Sequence, residues 1–142
     1  MTPSDAPPAP KEAEIRPREA AVEFYTEERC HIRELSNIAH DPAVSIAAAR
    51  VEPGVVTRWH RLAGITERYV ILQGEGRMEA GTLPPRLIGP GDVVIIPPGC
   101  PQRIASTGGA DLLFLAVCSP RFVPEAYEDI DAEPPPQASQ PV

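Results

Sequence analysis

His60 and Glu67 stand seven residues apart in the stretch Gly54-Val-Val-Thr-Arg-Trp-His60-Arg-Leu-Ala-Gly-Ile-Thr-Glu67-Arg-Tyr-Val-Ile-Leu-Gln-Gly74. An imidazole and a carboxylate held together can move protons or hold a cation. Glu67 opens an apolar run, residues 69–72, which the turn Gly74-Glu75-Gly76 closes. A second stretch, Gly91-Asp-Val-Val-Ile-Ile-Pro97-Pro98-Gly99-Cys-Pro-Gln102-Arg-Ile-Ala-Ser106, repeats the plan of glycine, β-branched run, Pro/Gly turn and polar residue at the start of a strand. Two such halves imply a site built from facing strands.

On an extended strand, residues i and i+2 share a face. That rule places Arg58 with His60 and Leu62, Glu67 with Tyr69 and Ile71, and Gln102 with Ile104 and Ser106. It predicts a mostly apolar cavity whose polar groups are His60, Glu67, Gln102, Arg58 and Tyr69, with Ile104 on its wall. Such a pocket suits a small organic ligand.

The elements that must position these groups read as short strands at 30–35, 44–52, 55–60, 67–73, 76–79, 86–88, 92–96, 102–106 and 111–118. Between them lie Glu52-Pro-Gly54, Gly-Glu-Gly at 74–76, Pro-Pro at 84–85, Gly-Pro-Gly-Asp at 89–92, Pro-Pro-Gly at 97–99 and Gly-Gly at 108–109. Many short strands with turn signals and almost no helical period mean an all-β sandwich or barrel. Residues 18–29 are mixed, and a helical turn or an irregular lead-in fits them equally well.

A length of 142 residues suits one domain with one core. Segment 1–17 and the proline-rich end of the chain, 131–142, carry few large apolar side chains and read as flexible tails around a folded unit at 18–130. The net charge of −7, without a lysine- or arginine-rich block, argues against a nucleic-acid groove. Cys30, Cys100 and Cys118 have no paired spacing, so neither a disulfide framework nor a zinc finger is expected. The start of the chain is not that of a leader peptide, and no apolar run approaches a membrane span. A cytoplasmic protein without nucleic-acid or membrane partners is the expectation.

The spacing Gly54, five residues, His60, one residue, Leu62, four residues, Glu67, six residues, Gly74 resembles the first motif of the cupin superfamily. Gly91, five residues, Pro97-Pro98-Gly99, two residues, Gln102, three residues, Ser106 resembles the second. The resemblance implies a single jelly-roll β-barrel and a pairing of copies into a homodimer. In the family, two histidines and a glutamate, then a third histidine, surround one metal. Here His60 and Glu67 match, whereas Leu62 stands in the second histidine position, Gln102 in the third, and Ser106 replaces an asparagine. An alternative registration puts Arg58 in the first histidine slot and His60 in the second.

The resemblance therefore implies a divalent ion, Fe, Mn, Ni or Zn, on His60, Glu67 and Gln102, a set of one borderline and two hard donors. Such an ion leaves positions open for water or substrate. With Arg58 as a docking group, an anionic or enolisable substrate is expected. Oxygen at the open positions would give dioxygenase-type cleavage. Proton movement by Glu67 or Tyr69 beside a Lewis acid would give isomerase, cyclase or lyase chemistry. The competing classes are a small-molecule or metal-binding protein without turnover and an interaction protein with an empty lumen.

Overall fold

The computed structural model describes residues 7–132. The tail segments 1–6 and 133–142 lie outside the described residues, whereas 7–17 run exposed without strand or helix. Eleven strands follow in chain order: β1 (Phe24–Tyr25), β2 (His31–Ser36), β3 (Ser45–Val51), β4 (His60–Leu62), β5 (Thr66–Gln73), β6 (Gly76–Ala80), β7 (Arg86–Ile88), β8 (Val93–Ile96), β9 (Gln102–Ser106), β10 (Leu112–Ser119) and β11 (Tyr127–Asp129). Two short 3₁₀ turns, Arg18–Ala20 and Pro124–Ala126, are the only helical pieces among the described residues.

The strands form two antiparallel sheets, one in the order β1-β2-β3-β10-β5-β8 and the other β11-β4-β9-β6-β7. The expected all-β jelly roll is what the chain builds. Alternation is clean where it matters: Glu67, Tyr69 and Ile71 of β5 are buried, as are Gln102, Ile104 and Ser106 of β9. These two rows face each other from opposite sheets, so the strand period alone brings the motif residues into one interior.

That interior has two parts. Ile71, Met78, Ile88, Ile96, Ile104 and Leu112 belong to a packed core of buried apolar side chains. A full burial of this kind is worth about 1.5–3 kcal/mol per large aliphatic side chain. Leu62, Ile65, Cys118 and Ala126 form a second, smaller cluster. Tyr69 and Phe114, with ring centroids 4.4 Å apart, close the first cluster toward a cavity.

One expected strand is largely absent. Of residues 55–60, only His60 enters a strand, and Val56 makes an isolated bridge to Ala105. Thr57 N–H bonds Ile104 O, but Arg58 N–H bonds Glu28 O, so the chain crosses between partners instead of following one ladder. Side-chain alternation has no force there. Thr57 and Arg58 are both buried although adjacent.

Candidate functional site

Between the sheets lies a cavity of about 380 Å³. His60 reaches it from β4 and Glu67 and Tyr69 from β5, while Cys30, Ile32, Ala49 and Phe114 supply apolar wall. Two segments outside the motifs complete it. The loop that joins β1 to β2 brings Thr26, Glu27 and Glu28, and the last elements bring Phe122, Tyr127 and Asp129.

The 26–30 loop is a tight one. Thr26 N–H and Thr26 Oγ1 both donate to Cys30 O, and Arg29, at φ 72°, turns the chain between them. The turn leaves Glu28 aimed inward, with its side chain 18% exposed to the cavity and its Oε2 3.3 Å from His60 Nδ1. The same Nδ1 lies 2.7 Å from the carbonyl oxygen of Arg58. A carbonyl can only accept, so Nδ1 carries the hydrogen and donates it. In the neutral imidazole, Nε2 is then an unprotonated lone pair. The ring is held flat against Tyr127, centroids 5.3 Å apart and planes 20° from parallel.

Glu67 is engaged from behind. Gln102 Nε2–H donates to its Oε1 at 2.7 Å, and the Cys118 thiol lies 3.7 Å from its Oε2. Burial is the main influence on its carboxyl and pushes its pKa above the ordinary glutamate value; the Gln102 hydrogen bond and His60 oppose that rise, and Glu28 adds to it. Glu28 is also raised, again mainly by burial, with His60 opposing and Asp129 adding. The Tyr69 hydroxyl is pushed well up by burial, so it is a neutral donor. The Cys118 thiol is pushed up to about 12, by burial first and then by Glu67, so it stays protonated.

The expected residues do not all meet in the lumen. His60, Glu67 and Tyr69 do. Arg58 does not: its guanidinium lies within the wall, 1% exposed, with Nε 2.7 Å from Asp129 Oδ2 and Nη2 3.3 Å from Asp129 Oδ1. The interrupted strand at 55–59 explains why parity put it on the wrong face. Ile104 points inward but packs in the core, away from the cavity lining. Leu62 lines the cavity as an apolar group, filling the second histidine position with packing.

The three donors expected around a divalent ion do not fit one as they stand. Gln102 is fully buried behind the lining, and it turns its nitrogen, not its oxygen, to Glu67. Its Oε1 is buried without a hydrogen-bond donor. Reversing the amide would set two acceptor oxygens against each other at that 2.7 Å contact unless Glu67 held a proton. Of that expected set His60 and Glu67 alone reach the lumen, fewer than the three that catalytic sites of this type use. Among the described residues, no group of three or more His, Cys, Asp and Glu side chains is arranged to hold an ion.

Sequence reasoning missed Glu28, Tyr127 and Asp129. None lies in a periodic segment, and Glu28 is one of three acidic residues within 23–28 with nothing local to mark it. His31 and His40, which lie outside both motif stretches, pair with acidic residues away from His60: His31 with Glu23 and Glu52, His40 with Glu14.

Comparison with known proteins adds three findings. The family described as Cupin domain matches residues 48–118, half of the chain. No curated protein matches. Among solved structures, the Streptomyces nucleoside dehydratase Pac13 superposes with a TM-score of 0.71 at 13% identity, covering 84% of this chain and 92% of that one. KdgF from Halomonas sp. superposes at 0.67 and 16% identity, covering 77% and 96%. Oxalate decarboxylase from Bacillus subtilis superposes at 0.69 and 17% identity, covering 80% of this chain and 31% of that one. At these identities the likeness is one of fold. No helix among the described residues is long and apolar enough to cross a membrane.

Proposed function

The chain belongs to the cupin superfamily, and from that premise we propose that it is a proton-transfer enzyme acting on a small organic molecule inside the barrel, as an isomerase or a lyase. The single observation that supports this reading is the fixed imidazole: Nδ1–H is committed to Arg58 O, with Glu28 beside it, and His60 lines the cavity. Nε2 is then a general base whose protonated form the Glu28 carboxylate stabilises, the division of labour seen wherever an acid orients a catalytic histidine. Glu67 is the matching acid, because burial keeps its proton on nearer to neutrality.

The step balances without a further reactant. Nε2 removes a proton from carbon next to a carbonyl, and Glu67 gives one to another carbon, which is isomerisation, or to a departing hydroxyl, which leaves as water. His60 has then gained a proton and Glu67 lost one, and exchange with solvent restores both. Dioxygenase-type cleavage fits less well, since it needs a redox ion held by donors that the lumen does not present.

Two measurements test the reading. Long-range ¹H–¹⁵N correlation spectra of His60 are expected to report the Nδ1–H tautomer. Small carbonyl compounds incubated in D₂O are expected to exchange hydrogen at the adjacent carbon, with the rate falling about 10²–10⁴-fold in His60→Gln. A tightly bound divalent ion, present after purification without chelator and lost from both His60→Ala and Glu67→Ala, would replace this reading with the metal-dependent one. Binding without exchange would make the protein a binding cupin.

A further inference from the structure

We propose that the guest of this cavity is an organic cation, a small molecule carrying an ammonium group next to an apolar or aromatic body. The inference rests on the lumen being the working site, as above, and goes further by naming the charge of what enters it. It reverses the anionic guest expected while Arg58 was placed on the lumen face.

Three observations point the same way. The ionisable side chains that line the cavity, apart from His60, Tyr69, Tyr127 and the two thiols, are all carboxylic: Glu27, Glu28, Glu34, Glu67 and Asp129. Neither lysine nor arginine is among the lining residues, and the Arg58 guanidinium, set in the wall, is bound to Asp129. Glu27 and Glu34 are exposed at the cavity rim and Glu28 lies inside beside His60, so an anionic guest would meet like charge at the mouth and again within, and no lysine or arginine of the lining would receive it.

The rings are the second observation. Phe24, Tyr69, Phe114, Phe122 and Tyr127 all border the same space. Aromatic faces attract a cation and, unlike lysine or arginine, add no charge that would repel it. The third observation is the balance of hydrogen bonding. His60 presents Nε2 as an acceptor, Thr26 spends its hydroxyl hydrogen on Cys30 O, and the carboxyls are acceptors when ionised. An ammonium group brings three N–H donors to these acceptors.

A set of matched probes tests the inference. Benzylammonium, benzyl alcohol and benzoate have nearly the same shape and differ in charge, and their affinities for the full chain can be read by titration calorimetry and by NMR shifts of cavity residues. Benzylammonium is expected to bind at least tenfold more tightly than benzyl alcohol, with benzoate weakest and the shifts centred on Tyr69, Phe114 and Tyr127. Glu28→Gln, confirmed as folded by its spectrum, is expected to cut that preference severalfold while leaving benzyl alcohol unchanged. Equal affinities, a preference for benzoate, shifts outside the cavity, or no benzylammonium binding below about 10 mM would overturn it. The two readings fail separately: an ammonium-selective lumen with an inert His60 removes the acid–base enzyme and leaves this inference standing, and hydrogen exchange in a lumen that prefers benzoate does the opposite.

Discussion

The Arg58 carbonyl accepts a hydrogen bond from His60 Nδ1, and the Arg58 side chain holds Asp129, so one residue positions the imidazole with its backbone and the cavity wall with its guanidinium. The wall role predicts a clear mutational split. Asp129→Ala strips a buried guanidinium of its two-point partner, leaving the nearby charge of Asp131 as partial compensation. A broken buried pair costs about 3–5 kcal/mol; because Asp129 is one-third exposed, the lower end of that range is expected. Arg58→Met removes the charge together with the need for its partner and should cost less than Asp129→Ala in urea unfolding. The reverse order would mean that the guanidinium holds the wall through more than its pairing with Asp129. His60, Glu67 and Tyr69 were legible in the sequence because motif spacing and strand alternation both hold for them. Arg58 was misplaced because it precedes the strand, and Gln102 was misread because sequence gives a side chain's face but not which end of its amide points at a neighbour.

At the scale of elements, the motif glycines divide into two kinds that look alike in the sequence. Gly74 sits at φ +86°, and a Cβ there would lie 2.5 Å from Asp111 O and 2.9 Å from Leu112 Cα, both backbone atoms that cannot move aside cheaply. Gly54 sits at φ +81° with nothing within 4 Å of the same added atom. Gly54→Ala should therefore cost only the conformational strain, about 1 kcal/mol. Gly74→Ala should cost that plus a backbone clash against the start of β10, about 3 kcal/mol or more in the same unfolding assay. Equal losses would mean that the turn after β5 is not pressed against β10. β3, β5, β9 and β10 could be placed from side-chain alternation and the turn residues that bound them. β1 and β11, at two and three residues, are too short to carry a period, yet β1 leads into the loop that delivers Glu28 and β11 itself carries Tyr127.

The whole molecule divides along the same line, since the part matched by the family, residues 48–118, contains His60 and Glu67 but not Glu28, Tyr127 or Asp129. The family-matched part carries His60 and Glu67; the chain before and after it brings Glu28 to the His60 ring and adds Glu27, Glu34 and Asp129 to the cavity lining. Holding two carboxyls in a sheltered interior must weigh on stability, and linkage gives the sign. Glu28 and Glu67 have folded pKa values raised above 4.5, so their stability contribution is full below about pH 4.5 and is lost as pH rises through their folded values. Glu23 and Asp129 are lowered by Arg50 and Arg58 respectively, so theirs is present above the ordinary carboxylate range and is lost as pH falls through their folded values. The opposing trends place the stability maximum between the two windows. Glu67→Gln keeps an acceptor for Gln102 while removing the ionisation, so it is expected to be more stable than the parent by about 1 kcal/mol at pH 8 and no more stable at pH 4, at the expense of activity. Thermal unfolding of both proteins across that range measures it. An advantage for Glu67→Gln that is the same at both ends would mean that Glu67 carries the same charge folded and unfolded, and the acid role assigned to it would fall with that result.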